Sequence, residues 1–314
     1  MARKTAPHVT VLVTTYSGEQ HLGEMIESIL QQDYENWALI ISDDGSGNTH
    51  SAVIDGYAAE YSNKIFVYDS GHRFNSRTEH LIHLLEIVRD DYIMFCGQED
   101  IWHTDKISMM LHEMLRAEEG EKAPVLVHTD FRVMNGEGRV ISDSFFEYAD
   151  VEYDETSLAK LITRNIVSDG AFMVNRRLIK AALRYRDINS IVNLQWWMAL
   201  CAAALGTLAV VDIATMDRFI RDDGGLGGNE RYTIKYIVTS VLDGDIRGRI
   251  KAAIKQGAML EDCFEEYLED EDEAVCRACK MIGMMTKPVR IRMYRKYGLM
   301  PYGLLRKLRM IIWG

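Results

Sequence analysis

YIMFCGQEDIWHTDK, residues 92–106, is the stretch on which the reading of the fold turns. Its apolar run, Tyr92 to Cys96, stops abruptly at Gly97-Gln98-Glu99-Asp100, and a helical pattern starts near Asp105, a residue suited to capping it. The run reads as a buried strand that delivers acidic side chains to its carboxyl end. In open α/β sheets, ligands collect outside the carboxyl ends of the strands. Glu99 and Asp100 side by side suit a hard divalent cation, manganese or magnesium, which takes oxygen ligands and often shares them with substrate phosphates. The same two residues also suit a solvated turn ahead of a helix.

Working outward, the same alternation recurs. Val9 to Val13 is a β-branched run that ends in Thr14-Thr15-Tyr16, and Leu22, Met25, Ile26, Ile29 and Leu30 then follow at helical spacing. Trp37 to Ile41 reads as a strand closed by Asp43-Asp44-Gly45-Ser46, and Ile65 to Tyr68 as another. Leu81 to Val88 and Asp105 to Arg116 read as helices. Strands alternating with helices predict a largely parallel, doubly wound α/β sheet. Beyond it the spacing predicts a strand at Val125–Val127, a hairpin over Phe131–Ile141, a short helix at Leu158–Ile162 and a strand at Gly170–Val174. An apolar helix at Leu194–Leu205, a strand at Thr207–Val211 and helices from Tyr232 onward complete the pattern.

Three polar turns therefore sit at the ends of parallel strands: Thr14-Thr15-Tyr16, Asp43-Asp44 and Gln98-Glu99-Asp100. Together they offer hydroxyls, an aromatic face and carboxylates, the groups a nucleotide diphosphate needs. No GxGxxG or GxxxxGK[ST] occurs, which counts against dinucleotide and P-loop sites.

The bulk numbers narrow the classes. The 314 residues are 47% hydrophobic and carry a net charge of −11, which argues against general nucleic-acid affinity. Five cysteines, an odd number, do not make a disulfide framework, and with no export signal they point to a reducing cytoplasm. Cys276 and Cys279 form a CxxC with no second pair for zinc. The charge is uneven. Residues 287–314 hold eight Lys or Arg and no acid, while residues 261–273 hold nine acids. Basic residues alternate there with Tyr, Leu, Ile and Trp, a pattern suited to lying on the inner face of an anionic membrane. Packing on the acidic segment, or on a second copy in a homo-oligomer, would use the tail equally well.

The opening block VTVLVTTYSGEQHLGEMIESILQQDYENWALIISDDGS resembles that of family 2 glycosyltransferases with the GT-A-type fold. YIMFCGQEDIWHTDKI, HTDFRVMNGEGRVISDSF, NIVSDGAFMVNR and QWWMALCAAALG resemble its rhamnosyltransferase-like branch, and the likeness runs over roughly residues 8–228. It implies a Rossmann-like mixed, mainly parallel sheet flanked by helices. Residues 1–228 would form the nucleotide-sugar and catalytic domain, and residues 229–314 a helical C-terminal extension.

The activity implied is inverting transfer of a sugar from a UDP- or dTDP-linked donor to a glycan or lipid-linked acceptor in cell-envelope polysaccharide synthesis. The resemblance gives donor-binding roles to Thr14, Thr15, Tyr16, Asp43, Asp44 and Gln98, and metal-binding roles to Glu99 and Asp100. Trp196, Trp197 and Asp130 would lie on the acceptor side. A carboxylate beside the paired tryptophans would be the base.

Four positions depart from the family pattern. The usual Asp-Gln-Asp-Asp is Gly97-Gln98-Glu99-Asp100. The acid before the tryptophans is Gln195, which accepts no proton at neutral pH. Tyr-Arg-x-His is replaced by Phe219-Ile220-Arg221-Asp222, which leaves Arg218 and Arg221 as candidates to stand in at the diphosphate. A usual glycine is Asp169, a candidate replacement base, as is Asp222. These departures also admit a nucleotide-sugar-binding paralogue without turnover.

Overall fold

A computed structural model describes residues 6–15, 21–43, 52–119, 122–185, 187–219, 244–301 and 303–314. Strands β1 (Val9–Thr15), β2 (Trp37–Asp43), β3 (Ile65–Tyr68) and β4 (Tyr92–Cys96) alternate with helices α1 (Leu22–Leu30), α2 (Ala52–Glu60) and α3 (Arg77–Ile87). Then come β5 (Asp100–Trp102), α4 (Lys106–Ala117), β6 (Val125–Met134), β7 (Val140–Ser142), α5 (Phe145–Tyr148) and α6 (Leu158–Thr163). They are followed by β8 (Phe172–Asn175), α7 (Arg176–Ala182), α8 (Leu194–Leu205) and β9 (Thr207–Phe219). Helices α9 (Gly244–Phe264), α10 (Asp270–Ile282), α11 (Lys287–Lys296) and α12 (Leu304–Trp313) close the chain.

The sheet has nine strands in the order β3-β2-β1-β4-β8-β6-β9-β5, with β7 on β6. β1, β2, β3 and β4 pair in parallel, and β6 and β9 run the same way; β8, β5 and β7 are antiparallel to their neighbours. This is the mixed, mostly parallel α/β sheet expected. It brings the carboxyl ends of β1, β2, β4, β6 and β9 to one edge.

Period-two alternation assigns the faces. Val9, Val11, Val13, Met94, Cys96, Val125, Val127 and Met173 face α1 and α4. Leu12, Ile93, Phe95, Leu126, Phe172 and Val174 face α3, α7 and α8. Residues of α9, α10, α11 and α12 (Ile254, Leu260, Cys276, Cys279, Tyr294 and Met310) join this second cluster. The CxxC thus packs into apolar surroundings, and burial pushes the Cys279 thiol up to about 12. The boundary expected at 228 falls outside the described residues.

Three local readings change. Asp105 makes no side-chain cap bond to α4, because its backbone (φ −101°, ψ 5°) is not extended as a cap requires. Asp100 opens a short strand instead of ending a turn. The hairpin over 131–141 holds, but its first strand is continuous with the run at 125–127 as β6.

Candidate functional site

At the carboxyl edge, two arginines tie together residues far apart in sequence. Asp100 is fully buried, and its carboxylate accepts two hydrogen bonds from Arg218, Nε to Oδ1 at 2.6 Å and Nη2 to Oδ2 at 2.9 Å. The Gly97 amide donates to Oδ2 at 2.8 Å. Arg218 Nη2 also donates to the Asp169 carbonyl, and the guanidinium lies 4.7 Å over the Phe131 ring. Arg77, the first residue of α3, donates from Nη1 to the Asp169 carboxylate and from Nε to Thr14 Oγ1 at 3.2 Å. The result is one chain of contacts, Thr14–Arg77–Asp169–Arg218–Asp100, across the ends of β1, α3, β9 and β5.

Local backbone makes the chain possible. Gly170 has φ +71°, and a Cβ there would lie 2.1 Å from Asp100 Oδ2 and 2.7 Å from Arg218 Nη2. A Cβ at Gly97 would lie 2.9 Å from Asp100 Oδ2. The two glycines leave room for the ion pair. Ser76 caps α3 by accepting from the Glu79 amide at 3.1 Å, which fixes where Arg77 starts the helix.

The pair also sets protonation. Burial alone would raise the Asp100 carboxyl. The Arg218 charge, its hydrogen bonds and the Gly97 amide outweigh it and hold Asp100 below the ordinary carboxylate range. Asp100 is thus an anion already neutralised by a side chain, with no solvent access. Glu99 is half-buried and has its own protein partner, and its carbonyl accepts from the Phe219 amide at 3.1 Å. Among the described residues no group of three His, Cys, Asp or Glu side chains gathers around a common point. Of the expected metal pair, Asp100 does not fit a divalent cation in this arrangement, because Arg218 occupies its carboxylate.

Beneath the pair lies Lys106, a residue the sequence reading passed over. It is fully buried at the start of α4 and donates from Nζ to Thr215 Oγ1 at 2.8 Å; Thr215 in turn bonds Thr129 Oγ1 at 2.8 Å. Burial lowers Lys106 to about 7, opposed by the charge of Asp100. Between pH 7 and the ordinary lysine value near 10.5, the unfolded chain binds a proton that the folded chain does not. Folded-state stability from this group therefore rises with pH across that window. Lys106→Met is expected to remove a slope of about 1.4 kcal/mol per pH unit. Denaturant melts of both proteins at pH 7 and 9.5 measure it, and equal pH dependence would refute the assignment.

The acceptor-side residues separate. Asp130 is buried, and its Oδ1 accepts from the amides of Phe131, Phe145 and Phe146 at 2.8, 2.9 and 3.1 Å, anchoring the start of α5. It also lines a cavity of about 370 Å³ with Asp143, Glu147, Asp150, Tyr153 and Asp212. Trp197 is fully buried and donates to the Ala182 carbonyl at 3.0 Å, so its ring is taken up by the core. Trp196 is half-buried and donates to the Leu161 carbonyl at 2.7 Å. Adjacent helical residues point about 100° apart, so the two rings cannot share one platform.

Gln195 is half-buried in the first turn of α8, which Asn193 caps by accepting from the Trp196 amide at 2.9 Å. Thr15, Asp43 and Gln98 are half-buried along the carboxyl edge. Tyr16, Asp44, Arg221, Asp222 and the glycine run 224–228 lie outside the described residues. Asp169 joins the contact chain, with Oδ1 buried and unpartnered among the described residues. Arg77, Gly170 and Lys106 were missed. The S-R-T-E capping box at 76–79 was the available signal for Arg77.

Comparison with known proteins bears on this geometry. The family model "Glycosyl transferase family 2" matches residues 10–183. A putative glycosyltransferase of Bacillus subtilis, EpsE, is 37% identical over 98 residues, which is 31% of this chain and 34% of that protein. The dTDP-rhamnosyl transferase RfbG of Shigella flexneri is 31% identical over 98 residues, 30% of this chain and 34% of that one. The chain thus matches about a third of the length of these two relatives. Among solved structures, residues 1–349 of S. aureus TarS in complex with UDP-GlcNAc superpose with a TM-score of 0.56 at 13% identity, covering 97% of this chain and 90% of that one. The mannosyltransferase PcManGT of Pyrobaculum calidifontis, in complex with GDP-Man and Mn2+, gives 0.54 at 11%, covering 98% and 87%.

Proposed function

This chain belongs to glycosyl transferase family 2, and on that premise we propose that it transfers a sugar, with inversion, from a UDP- or dTDP-linked donor to a hydroxyl of a glycan or lipid-linked acceptor in cell-envelope polysaccharide synthesis. The observation that carries the reading is the contact chain Thr14–Arg77–Asp169–Arg218–Asp100 at the carboxyl edge.

In this reading Thr14 and Arg77 meet the nucleoside, with Tyr16 and Asp44 beside them. Arg77 holds one oxygen of Asp169, and the other has no partner among the described residues. The Asp169 carboxylate, whose side chain is partly exposed, takes the proton of the acceptor hydroxyl. The acceptor oxygen forms its bond to the anomeric carbon, the bond from that carbon to the diphosphate oxygen breaks, and the electron pair leaves with the diphosphate. Arg218 is the fixed cation closest to the acidic motif, and a cation aimed at developing charge lowers the barrier. The PcManGT complex contains Mn2+; here no step is assigned to a metal, because Asp100 is closed by Arg218.

The test is calorimetric titration of UDP and of dTDP, each with manganese and each with EDTA. Micromolar binding that EDTA leaves within threefold is the expected result. Binding that requires manganese would return Glu99 and Asp100 to a metal site, and no binding in either condition would remove the donor. Gln195, where the family resemblance places a base, supports a second reading: a paralogue that binds the nucleotide sugar without turnover. Nucleotide binding with no release of UDP or dTDP from any sugar donor would favour it.

A further inference from the structure

The C-terminal helices leave a face that the transferase reading does not use. On α12, Leu304, Leu308 and Ile312 recur at every fourth residue and are exposed, Leu304 to 74%, while Met310 on the opposite side is buried. Lys307 is exposed beside this stripe. On α11, Tyr294 is buried and Val289, Arg292, Arg295 and Lys296 are exposed on the side away from it. The two helices adjoin: Lys287 Nζ donates to the Ile312 carbonyl at 2.8 Å, and a Cβ at Gly314 would lie 2.9 Å from the Tyr294 ring. Met284, just before α11, is exposed to 82%.

The acidic segment does not neutralise this face. Four of its nine carboxylates are engaged by α10, where Arg277 pairs with Glu261, Glu265 and Glu273, and Lys280 with Glu261 and Asp262. Among the described residues Arg292, Arg295, Lys296 and Lys307 make no ion pair. An apolar stripe flanked by uncompensated cations, on a chain whose net charge is −11, is selective for a surface that is both apolar and anionic. No helix among the described residues is long and apolar enough to cross a membrane.

We propose that the outer face of α11 and α12 docks on an anionic phospholipid bilayer, with Leu304, Leu308 and Ile312 entering the interface and Arg292, Arg295, Lys296 and Lys307 meeting the headgroups. The placement also has a use. Arg306 on α12 reaches the Asp150 carboxylate at 3.3 Å, and Asp150 lines the acidic cavity. Arg306 lies about 200° round the helix from Leu304 and Leu308, so α12 turns its stripe outward and its inner side to the rim of the cavity, which in this placement would take an acceptor carried on a lipid. This last point rests on the transferase reading; the docking itself does not.

The experiment is flotation of the full-length chain with vesicles of phosphatidylcholine alone or with 30% phosphatidylglycerol. Binding to the anionic vesicles at least tenfold above neutral ones, reversed by 0.5 M salt, is expected. The double variant Leu304→Glu/Leu308→Glu and the triple variant Arg292→Glu/Arg295→Glu/Lys296→Glu are each expected to lose that binding by tenfold or more while their melting curves stay intact. Failure of the wild-type chain to float with anionic vesicles overturns the proposal, as does unchanged binding by both variants. So does concentration-dependent dimerisation in sedimentation that Leu304→Glu/Leu308→Glu abolishes, since a second copy would then cover the face. Vesicle binding without nucleotide binding would keep the docking and remove only the transferase reading.

Discussion

Replacing Arg218 with leucine is expected to destabilise the protein by about 3–5 kcal/mol, the usual cost of leaving one member of a buried ion pair without its partner. Asp100 is fully buried and takes two hydrogen bonds from Arg218, so no solvent is available to replace them. The pH dependence has a definite sign. In the wild-type chain the depressed Asp100 contributes stability that is present above the ordinary carboxylate range and lost as pH falls through its lowered value. In the variant the same carboxyl, buried and unpaired, is pushed up instead, so the gap between the two proteins closes on acidification. Urea melts from pH 7 to pH 4.5 measure this. The double variant Arg218→Leu/Asp100→Leu separates stability from function: apolar replacement of both partners restores most of the lost stability. Nucleotide binding stays lost in both variants if the arginine serves the diphosphate. A single variant as stable as the wild type would show that the pair is not formed.

Asp169→Asn is expected to lower turnover by about 100- to 10,000-fold, the range for loss of a general base, with nucleotide affinity changed less than threefold. Asparagine keeps the size and an acceptor oxygen for Arg77 but cannot take a proton. The split between turnover and affinity distinguishes a base from a residue that merely holds Arg77 in place, which would weaken binding as well. Release of UDP or dTDP under saturating donor, beside calorimetric affinity for the same nucleotide, provides both readouts. Full turnover in Asp169→Asn would move the base elsewhere, Asp222 being the second candidate carboxylate.

The sheet was legible because its strands are strong β-branched runs and its helices keep apolar residues at three- and four-residue spacing. Val9–Val13 with Leu22–Leu30 is the plainest case. Helix α2 was not legible, since it buries only Ile54 and so carries no stripe. β5 was hidden because three residues inside an acidic turn show no alternation. The site divides in the same way. Thr14, Asp43, Glu99 and Asp100 could be placed at one sheet edge from strand order alone. What Asp100 does there could not, because its partner is 118 residues away and period two gives the face of a strand without naming a neighbour. The clue lay in Gly97 and Gly170, where the missing Cβ atoms leave space for a guanidinium–carboxylate pair. The tryptophan pair was half legible: helical geometry requires the rings to diverge, but the sequence does not say which one the core takes.

Gly257 on α9 lies so close to α6 and α10 that a Cβ would meet Ile162 Cδ1 and Cys279 Sγ at 2.9 Å each. α6 is the element from which the chain leads to Asp169 and Gly170, and its inner face, Leu158, Leu161 and Ile162, shares one apolar cluster with α9 and α10. The C-terminal helices are therefore the floor beneath the loop that carries Asp169, the proposed base. Trimming the chain after β9 to obtain a minimal enzyme would strip that floor away, and shortening at this end would remove catalysis along with the tail.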